Sequence, residues 1–247
     1  MNDGFLNFKK KGWIVEKRIF NKSEINIIKS KINLFLEKNI NKYSGRDINF
    51  FHKKKKVNEI NSFHKMDDCK FIKKIAFSKK IYDISKKYLN SKKPDLRASE
   101  LFAKPKFYGL AAPIHQDNFY WCVNDANAIT IWIALDKSNK ENGGVFYFDG
   151  SHLNGILDHT QSFSKGSSQK IKNENELAKY NKSYPSLEIG DCLIHHSLVA
   201  HGSARNKSSE NRSGLTFQYK SENSFYHKNL IDKYEKSLSN QIKLRLN

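Results

Sequence analysis

The pattern of apolar residues changes near Leu96, and this change constrains the fold more than any other feature of the sequence. Before Leu96, apolar residues recur at helical spacing and predict helices over 23–38, 66–76 and 78–90. After Leu96, short runs rich in β-branched and aromatic residues alternate with Gly, Asn and Ser. These runs predict strands over 96–104, 127–135, 143–148, 191–195 and 213–220. Helices followed by antiparallel strands predict a mainly β fold, a sandwich or barrel supported by N-terminal helices.

Several local signals refine this prediction. Gly12-Trp13-Ile14-Val15 is typical of a short strand, and Ser23 is predicted to cap the following helix, with Glu24 in its first turn. The polar segment 41–62, which contains the run Lys53–Lys56, is expected to be a loop. Together with the strands, these signals place helical support at about 1–95 and a β core at about 96–220.

Two polar segments fall outside the regular elements. Residues 158–184 are rich in Lys, Asn and Ser, and they predict a long loop, or a loop with a short helix, within the strand region. Long loops in compact domains are often mobile lids, so we expect this segment to shield a site. The Lys-rich tail 228–247 is moderately helical in pattern.

The net charge of +19 suggests nucleic acid as a partner. However, only six basic residues are Arg, and the Lys residues are dispersed along the whole chain. Guanidinium groups bind phosphates and base edges bidentately, whereas Lys is a hydrated point charge. The sequence therefore favours a solvated basic surface over a nucleic-acid interface. A preference for anionic ligands, through the summed field of these charges, stays open.

Length and cysteine content narrow the class of protein further. A chain of 247 residues can form one domain with its own core. The three cysteines lie far apart without a CxxC motif, which excludes a disulfide scaffold and a Cys-rich zinc site. No apolar run approaches the length of a membrane span, and the N-terminus lacks a signal-peptide core. We therefore expect a cytoplasmic protein with no membrane partner; its oligomeric state is not readable.

One histidine motif points to metal chemistry. His115 and Asp117 flank Gln116, and residues two apart on a strand project from the same face. A second, distant histidine would complete a two-His-one-carboxylate triad, which leaves open positions on Fe(II). We predict His201, in the turn after a strand, as that ligand. The competing histidines are His152, His159, His195 and His196.

A basic residue follows His201 at a suitable distance. Arg212 opens the next predicted strand, about ten positions downstream. A 2-oxoglutarate molecule chelating the metal needs a buried cation for its distal carboxylate, and a guanidinium matches a carboxylate in two hydrogen bonds.

These motifs, in this order, resemble the phytanoyl-CoA dioxygenase family of Fe(II)/2-oxoglutarate oxygenases. The resemblance covers roughly residues 96–220. It is carried by His115-Gln116-Asp117-Asn118-Phe119-Tyr120-Trp121, Trp132-Ile133-Ala134-Leu135-Asp136, Glu141-Asn142-Gly143-Gly144, Gly150-Ser151-His152 and the stretch from Gly190 to Arg212. It implies a double-stranded β-helix, a jelly-roll barrel with the metal at one mouth.

The resemblance also implies roles for individual residues. The implied iron ligands are His115, Asp117 and His201. The implied contacts of 2-oxoglutarate are Arg212, Ser203, Trp132 and Lys104. His196 is expected to support the ligands rather than bind the metal. The intact carboxylate of Asp117 implies oxygen insertion rather than halogenation, since a small residue replaces it in halogenating relatives.

The implied activity is hydroxylation of a small-molecule metabolite with Fe(II), 2-oxoglutarate and O2, releasing succinate and carbon dioxide. The substrate itself is not readable. Residues expected to flank the substrate mouth are Asn118, Tyr120, Phe107, Tyr108, His159 and Arg205. Two alternatives stay open: a nucleic-acid-directed oxygenase or binder, and a non-catalytic barrel that keeps its metal.

Overall fold

The computed structural model describes residues 3–45, 47–51, 56–164 and 167–246. The α-helices are α1 (Asp3–Lys11), α2 (Lys22–Asn39), α3 (Lys70–Ala76), α4 (Lys79–Leu89), α5 (Asp117–Trp121) and α6 (Lys228–Leu246). The N-terminal strands are β1 (Trp13–Glu16), β2 (Ile48–Phe50) and β3 (Ile60–Phe63). The other strands are β4 (Asp95–Lys104), β5 (Ala112–His115), β6 (Ala128–Ala134), β7 (Val145–Phe148), β8 (His159–Ser164), β9 (Ser167–Ile171), β10 (Lys182–Ser183), β11 (Cys192–His196), β12 (His201–Ser203) and β13 (Arg212–Lys220).

Two antiparallel sheets form the barrel. The larger sheet has seven strands in the order β1-β11-β6-β13-β4-β3-β2, and the smaller has four in the order β10-β7-β12-β5. Strands β8 and β9 form a separate hairpin. The predicted mainly β, jelly-roll fold with N-terminal helices is confirmed.

The larger sheet is covered on both faces, and successive side chains of each strand point to opposite faces. Leu215, Phe217 and Tyr219 of β13 point to one face, where they pack with the apolar residues of the N-terminal helices. Trp132 and Leu193 project from the opposite face, toward the smaller sheet. This alternation places the polar side chains of the second face inside the barrel, where the candidate site lies.

The second helix begins earlier than predicted. Asn21, not Ser23, caps it: the Asn21 side chain accepts a hydrogen bond from the Glu24 backbone N–H. The Glu24 carboxylate in turn accepts from the Asn21 backbone N–H. The polar residue with a Glu three positions later forms the capping box, and this spacing decides between the two candidate caps.

Two segments predicted as loops contain strands. Within 41–62, β2 and β3 pair with each other at the edge of the larger sheet; Lys53, Lys54 and Lys55 lie outside the described residues. Within 158–184, β8 and β9 form the hairpin, so the predicted long loop is wrong over these strands. Both pairs consist of short strands that are consecutive in the chain, and their composition lacks the run of β-branched and aromatic residues that predicts a strand. Helix α1 was not predicted either.

Asp191 ties the N-terminal strand to the barrel. Its carboxylate is 1% exposed and accepts hydrogen bonds from the backbone N–H groups of Arg18 and Glu188, both at 2.9 Å. The Lys17 ammonium lies 2.8 Å away. Burial opposes ionisation, but these donors hold the pKa of Asp191 below its ordinary value. The stabilisation is therefore present at neutral pH and is lost as the pH falls through this lowered pKa.

Replacing Asp191 with alanine should lower the free energy of unfolding by about 2–4 kcal/mol, because two backbone N–H groups lose the buried carboxylate that accepts from them. Lys17→Ala is the matched control. Lys17 is largely exposed, and its loss should cost less than about 1 kcal/mol. Urea denaturation of both variants at neutral pH measures the difference. Equal losses would show that the ion pair, not the backbone hydrogen bonds, stabilises this junction.

Candidate active site

Three potential metal ligands converge at one mouth of the barrel. His115 ends β5, His201 begins β12, and the two face each other as register partners. Asp117 is the first residue of α5. The predicted positions of Asp117 on a strand and of His201 in a turn are both wrong. The chain turns into a helix directly after His115, and this turn brings the carboxylate back between the two imidazoles.

The ligand atoms of these residues all lie within 4.8 Å of one another. Asp117 Oδ1 is 3.5 Å from His115 Nε2 and 3.6 Å from His201 Nε2. Each imidazole Nδ1 lies beside a backbone carbonyl, that of Pro113 at 2.8 Å and that of Val199 at 3.0 Å. Because a carbonyl only accepts, both Nδ1 atoms carry the proton, and both Nε2 lone pairs face Asp117.

The second oxygen of Asp117 is anchored by the larger sheet. Thr130 Oγ1 donates to Asp117 Oδ2 at 2.8 Å, and His195 Nε2 donates to the same oxygen at 3.0 Å. Tyr147 extends this series of hydrogen bonds, with its hydroxyl 2.8 Å from His195 Nδ1. Only Oδ1 therefore points toward the two imidazole lone pairs.

The histidine that supports the site is His195, not His196 as predicted. His196 projects from the opposite face of β11, where its Nδ1 accepts from the Leu198 backbone N–H at 3.1 Å and its ring lies near His152. The sequence reasoning also missed Thr130 and Tyr147. No local signal marks Thr130, because its register partners His195 and Gln218 lie on distant strands.

Burial and the neighbouring side chains shift the pKa values of His201 and Asp117. Burial lowers the pKa of His201 to about 3, so the imidazole is neutral and its lone pair is available at neutral pH. Burial alone would raise the pKa of Asp117, but the surrounding imidazoles hold it well below its ordinary value. An ionised carboxylate together with two imidazole nitrogens forms a donor set that suits Fe(II).

A cationic pocket lies on the adjoining strands. Arg212 and Lys104 are register partners on β13 and β4, and they are 3% and 6% exposed. Lys104 Nζ donates to Ser203 Oγ at 2.7 Å, and Ser203 lies two residues after His201 on β12. The Arg212 guanidinium lies over the Trp132 ring, 5.0 Å from its centroid. The four residues expected to contact 2-oxoglutarate are therefore neighbours.

Glycine at position 214 makes room for this arrangement. A Cβ atom at Gly214 would lie 1.9–2.5 Å from atoms of the Trp132 indole. Any side chain at this position would displace the ring from beneath Arg212.

The pocket has an excess of positive charge. In the described part of the chain, neither Arg212 nor Lys104 forms an ion pair, and the buried Arg212 Nε has no hydrogen-bond partner. Desolvation and the charge of Arg212 lower the pKa of Lys104 to about 6, and desolvation lowers the pKa of Arg212 to about 10. A buried guanidinium beside a buried amine, neither paired with a carboxylate, fits the distal carboxylate of 2-oxoglutarate.

Two residues expected at the substrate mouth have structural roles instead. The Asn118 side chain is 3% exposed; it donates to the Val123 carbonyl and accepts from the Val123 N–H, which closes the end of α5. His159 Nε2 accepts from the Gln116 backbone N–H at 3.1 Å, and its ring stacks on Phe119. Burial lowers the pKa of His159 to about 4, which keeps this nitrogen an acceptor. Both side chains position the segment that carries Asp117.

The other expected mouth residues divide into two groups. Tyr120 packs edge-on against the His115 ring, and its hydroxyl binds the β8–β9 hairpin at Ser167 and Gln169. Further exposed residues lie on the loops that follow β4 and β12, which the Gly109–Asn206 bridge joins. These are Phe107, Tyr108 and Arg205.

Comparison with known proteins assigns the family. The family model described as phytanoyl-CoA dioxygenase (PhyH) matches residues 8–214. The chain belongs to the phytanoyl-CoA dioxygenase family. This assignment confirms the predicted enzyme class, the Fe(II)- and 2-oxoglutarate-dependent oxygenases, and their cofactors.

Individual relatives are distant. A phytanoyl-CoA dioxygenase domain-containing protein 1 homolog from Caenorhabditis briggsae is 25% identical, over 87% of this chain and 89% of its own length. The Danio rerio phytanoyl-CoA dioxygenase domain-containing protein 1 is 27% identical, over 76% of this chain and 64% of its own. EctD from S. alaskensis, solved with 2-oxoglutarate and 5-hydroxyectoine, shares the fold with a TM-score of 0.72 at 19% identity, covering 90% of this chain and 78% of EctD.

The helices were compared with the length and hydropathy of a membrane span. Across the ranges that the structure describes, no helix combines the length and the apolar character needed to span a bilayer.

Proposed function

We propose that this protein is a single-domain, cytoplasmic dioxygenase that hydroxylates a small-molecule metabolite. The observation that carries the proposal is the convergence of His115 Nε2, Asp117 Oδ1 and His201 Nε2 at one barrel mouth. The proposal is supported by Arg212, which is buried without a carboxylate partner beside Lys104 on the adjoining strands.

In this proposal the protein supplies ligands, orientation and shielding. When bound, Fe(II) with 2-oxoglutarate and O2 supplies the oxidising power to insert an oxygen atom into a C–H bond. The Thr130 and His195 contacts hold Asp117 so that a single oxygen faces the metal position. Arg212 and Lys104 orient 2-oxoglutarate by its distal carboxylate.

The β8–β9 hairpin is proposed to exclude water from the site. It is fastened to the metal-binding segment at two places: His159 binds the Gln116 N–H, and Tyr120 binds the Gln169 backbone. Helix α6 backs the hairpin, since Ser237 Oγ donates to Gln169 Oε1 at 2.8 Å. Whether the segment 158–184 opens for substrate stays a prediction, which limited proteolysis with and without ligands would test.

The proposed activity is tested by anaerobic loading with Fe(II) and 2-oxoglutarate, addition of O2 and measurement of succinate across a metabolite library. We expect slow basal formation of succinate that a true substrate accelerates. Asp117→Ala should form none. Stoichiometric metal binding without any succinate would instead support the non-catalytic barrel.

Binding of 2-oxoglutarate should take up a proton at Lys104. With a pKa of about 6, Lys104 is mostly neutral at about pH 7.5 before the carboxylate arrives. A nearby carboxylate favours the ammonium form, so the pKa rises and binding consumes up to about one proton. Calorimetry in two buffers of different ionisation enthalpy measures this uptake, and the affinity should fall as the pH rises.

Lys104→Met is the matched variant, because methionine has a side chain of similar length that carries no charge. It should bind 2-oxoglutarate more weakly and without proton uptake. Identical uptake in both proteins would assign the proton to another group and remove Lys104 from the pocket.

A further inference from the structure

A β-bulge in β4 turns Arg97 into the barrel. Along β13 and β4, Gln218 pairs with Ala98 but Tyr219 pairs with Leu96, so Arg97 is the extra residue. Without the bulge, alternation would send Arg97 toward the helices and Leu96 into the barrel. Instead Leu96 packs in the helical core, and the Arg97 guanidinium reaches the inward-facing Gln218. Bulges commonly re-aim a side chain beside a binding site.

A chain of polar groups fixes the orientation of Gln218 toward Arg97. Gln218 Nε2 donates to Glu100 Oε2 at 2.8 Å, which leaves its Oε1 to accept from Arg97. Glu100 Oε1 lies 3.0 Å from His64 Nδ1, and His64 Nε2 lies 3.1 Å from Ser62 Oγ. Glu100 is therefore already paired, and it acts on Arg97 only through the Gln218 amide.

The Arg97 guanidinium lacks an anionic partner. Within the described ranges it forms no ion pair, and its buried Nε has no hydrogen-bond acceptor. Its one side-chain acceptor is the neutral Gln218 amide, and its other contact is the face of Trp121, 5.0 Å from guanidinium carbon to ring centroid. A half-buried guanidinium with unused donors in a fixed plane is suited to a carboxylate or a phosphate.

Arg97 lies next to the candidate iron site. Trp121, beneath the guanidinium, ends the helix that Asp117 begins. Gln218 is the register partner of Thr130, whose hydroxyl holds Asp117. A ligand bound to Arg97 would thus extend from the inner face of the barrel, at the end of β4 and β13 opposite to Lys104 and Arg212.

We infer that Arg97 binds an anionic group, carboxylate or phosphate, of the primary substrate and thereby sets the substrate class. The inference rests on the proposed function and specifies it. The ring of Trp121, on whose face the guanidinium lies, supplies an apolar surface beside the cation. The preferred substrate is therefore an organic anion with an apolar portion.

The test compares matched anionic and neutral probes: hexanoate with hexanamide, and hexyl phosphate with hexanol. Each is titrated anaerobically into protein holding Fe(II) and saturating 2-oxoglutarate, so that Arg212 is already occupied, and tryptophan fluorescence reports binding. In the wild-type protein one anion should bind at least about tenfold more tightly than its neutral counterpart, as one charge-assisted bidentate contact supplies. The pair with the larger ratio distinguishes carboxylate from phosphate.

Arg97→Gln should reduce this ratio to near one, and Arg97→Lys should retain part of it, because the charge remains but the planar fork is lost. Arg18→Gln is the matched control: Arg18 is exposed on the segment after β1, and its loss should keep the wild-type ratio. If Arg97→Gln does not fold, the ratio of anion affinity to neutral-probe affinity in the wild-type protein and in Arg97→Lys still tests the inference.

Equal binding of anion and neutral probe, no binding of either anion, or an unchanged ratio in Arg97→Gln would overturn the inference while 2-oxoglutarate still binds. Failure of 2-oxoglutarate to bind the Fe(II)-loaded protein is a separate result. It would overturn the proposed function and, with it, the inference.

Discussion

Replacing Arg212 with alanine is expected to raise the KM for 2-oxoglutarate by roughly 30- to 4,000-fold. Truncating one partner of a buried carboxylate–guanidinium pair costs ~2–5 kcal/mol, because the other charge is left unpaired, and each ~1.4 kcal/mol is a factor of ten. Arg212 is 3% exposed and lies over Trp132. In the alanine variant, bulk water therefore should not reach the carboxylate of 2-oxoglutarate to replace the lost hydrogen bonds. Steady-state titration of 2-oxoglutarate measures the change.

Two further variants separate the anchor from general damage. Arg212→Lys should recover only part of the affinity, since an ammonium cannot form the bidentate contact. Arg205→Ala removes an exposed guanidinium from the loop after β12 and should leave the affinity for 2-oxoglutarate unchanged. Arg212→Ala with the affinity of the parent would place the anchor elsewhere, with Lys104 as the next candidate.

Replacing Asp117 with alanine is expected to lower the affinity for Fe(II) by more than about 100-fold, beyond the ~10- to 100-fold that loss of an outer hydrogen-bond partner causes. The substitution removes the one anionic ligand of the triad. It leaves the β5–β12 pairing that positions His115 and His201 intact, so the protein should remain folded. Anaerobic equilibrium dialysis measures the affinity, and circular dichroism checks the fold.

The same assay tests the assignment of His195. His195→Gln should weaken iron binding by roughly 10- to 100-fold, because Asp117 Oδ2 loses a donor but the triad stays complete. His196→Gln, its neighbour on the opposite face of β11, should bind iron like the parent protein. The reverse order would restore the assignment predicted from the sequence.

The confusion of His195 with His196 has a physical cause. Strand β11 is buried on both faces: Cys192 and Ile194 pack toward the helices, and Leu193 packs inside the barrel. A strand that is apolar on both sides carries no alternation in its sequence, so the face of each histidine is fixed only by pairing with distant strands. The predicted triad required only the HxD spacing and a histidine before the Arg212 strand.

The same limit explains the errors at the substrate mouth. Asn118 is predicted at the mouth beside the HxD motif, and His159 as a polar contact in the segment 158–184. Their side chains instead satisfy backbone groups that the α5 turn leaves open. Arg97 was not selected, because its inward direction depends on a bulge in the pairing of β4 with β13. Long strands and amphipathic helices were predictable from the spacing of apolar residues; short strands such as β2 and β8 were not.

The central claim is that His115, Asp117 and His201 bind one Fe(II) that makes 2-oxoglutarate binding possible. The most direct measurement is anaerobic titration of Fe(II) into the metal-free protein, followed by calorimetric titration of 2-oxoglutarate, for the wild type and Asp117→Ala. The account predicts about one Fe(II) per wild-type chain, tighter 2-oxoglutarate binding after the metal than before it, and neither effect in Asp117→Ala. Equal metal binding by both proteins, or 2-oxoglutarate binding that ignores the metal, would contradict it.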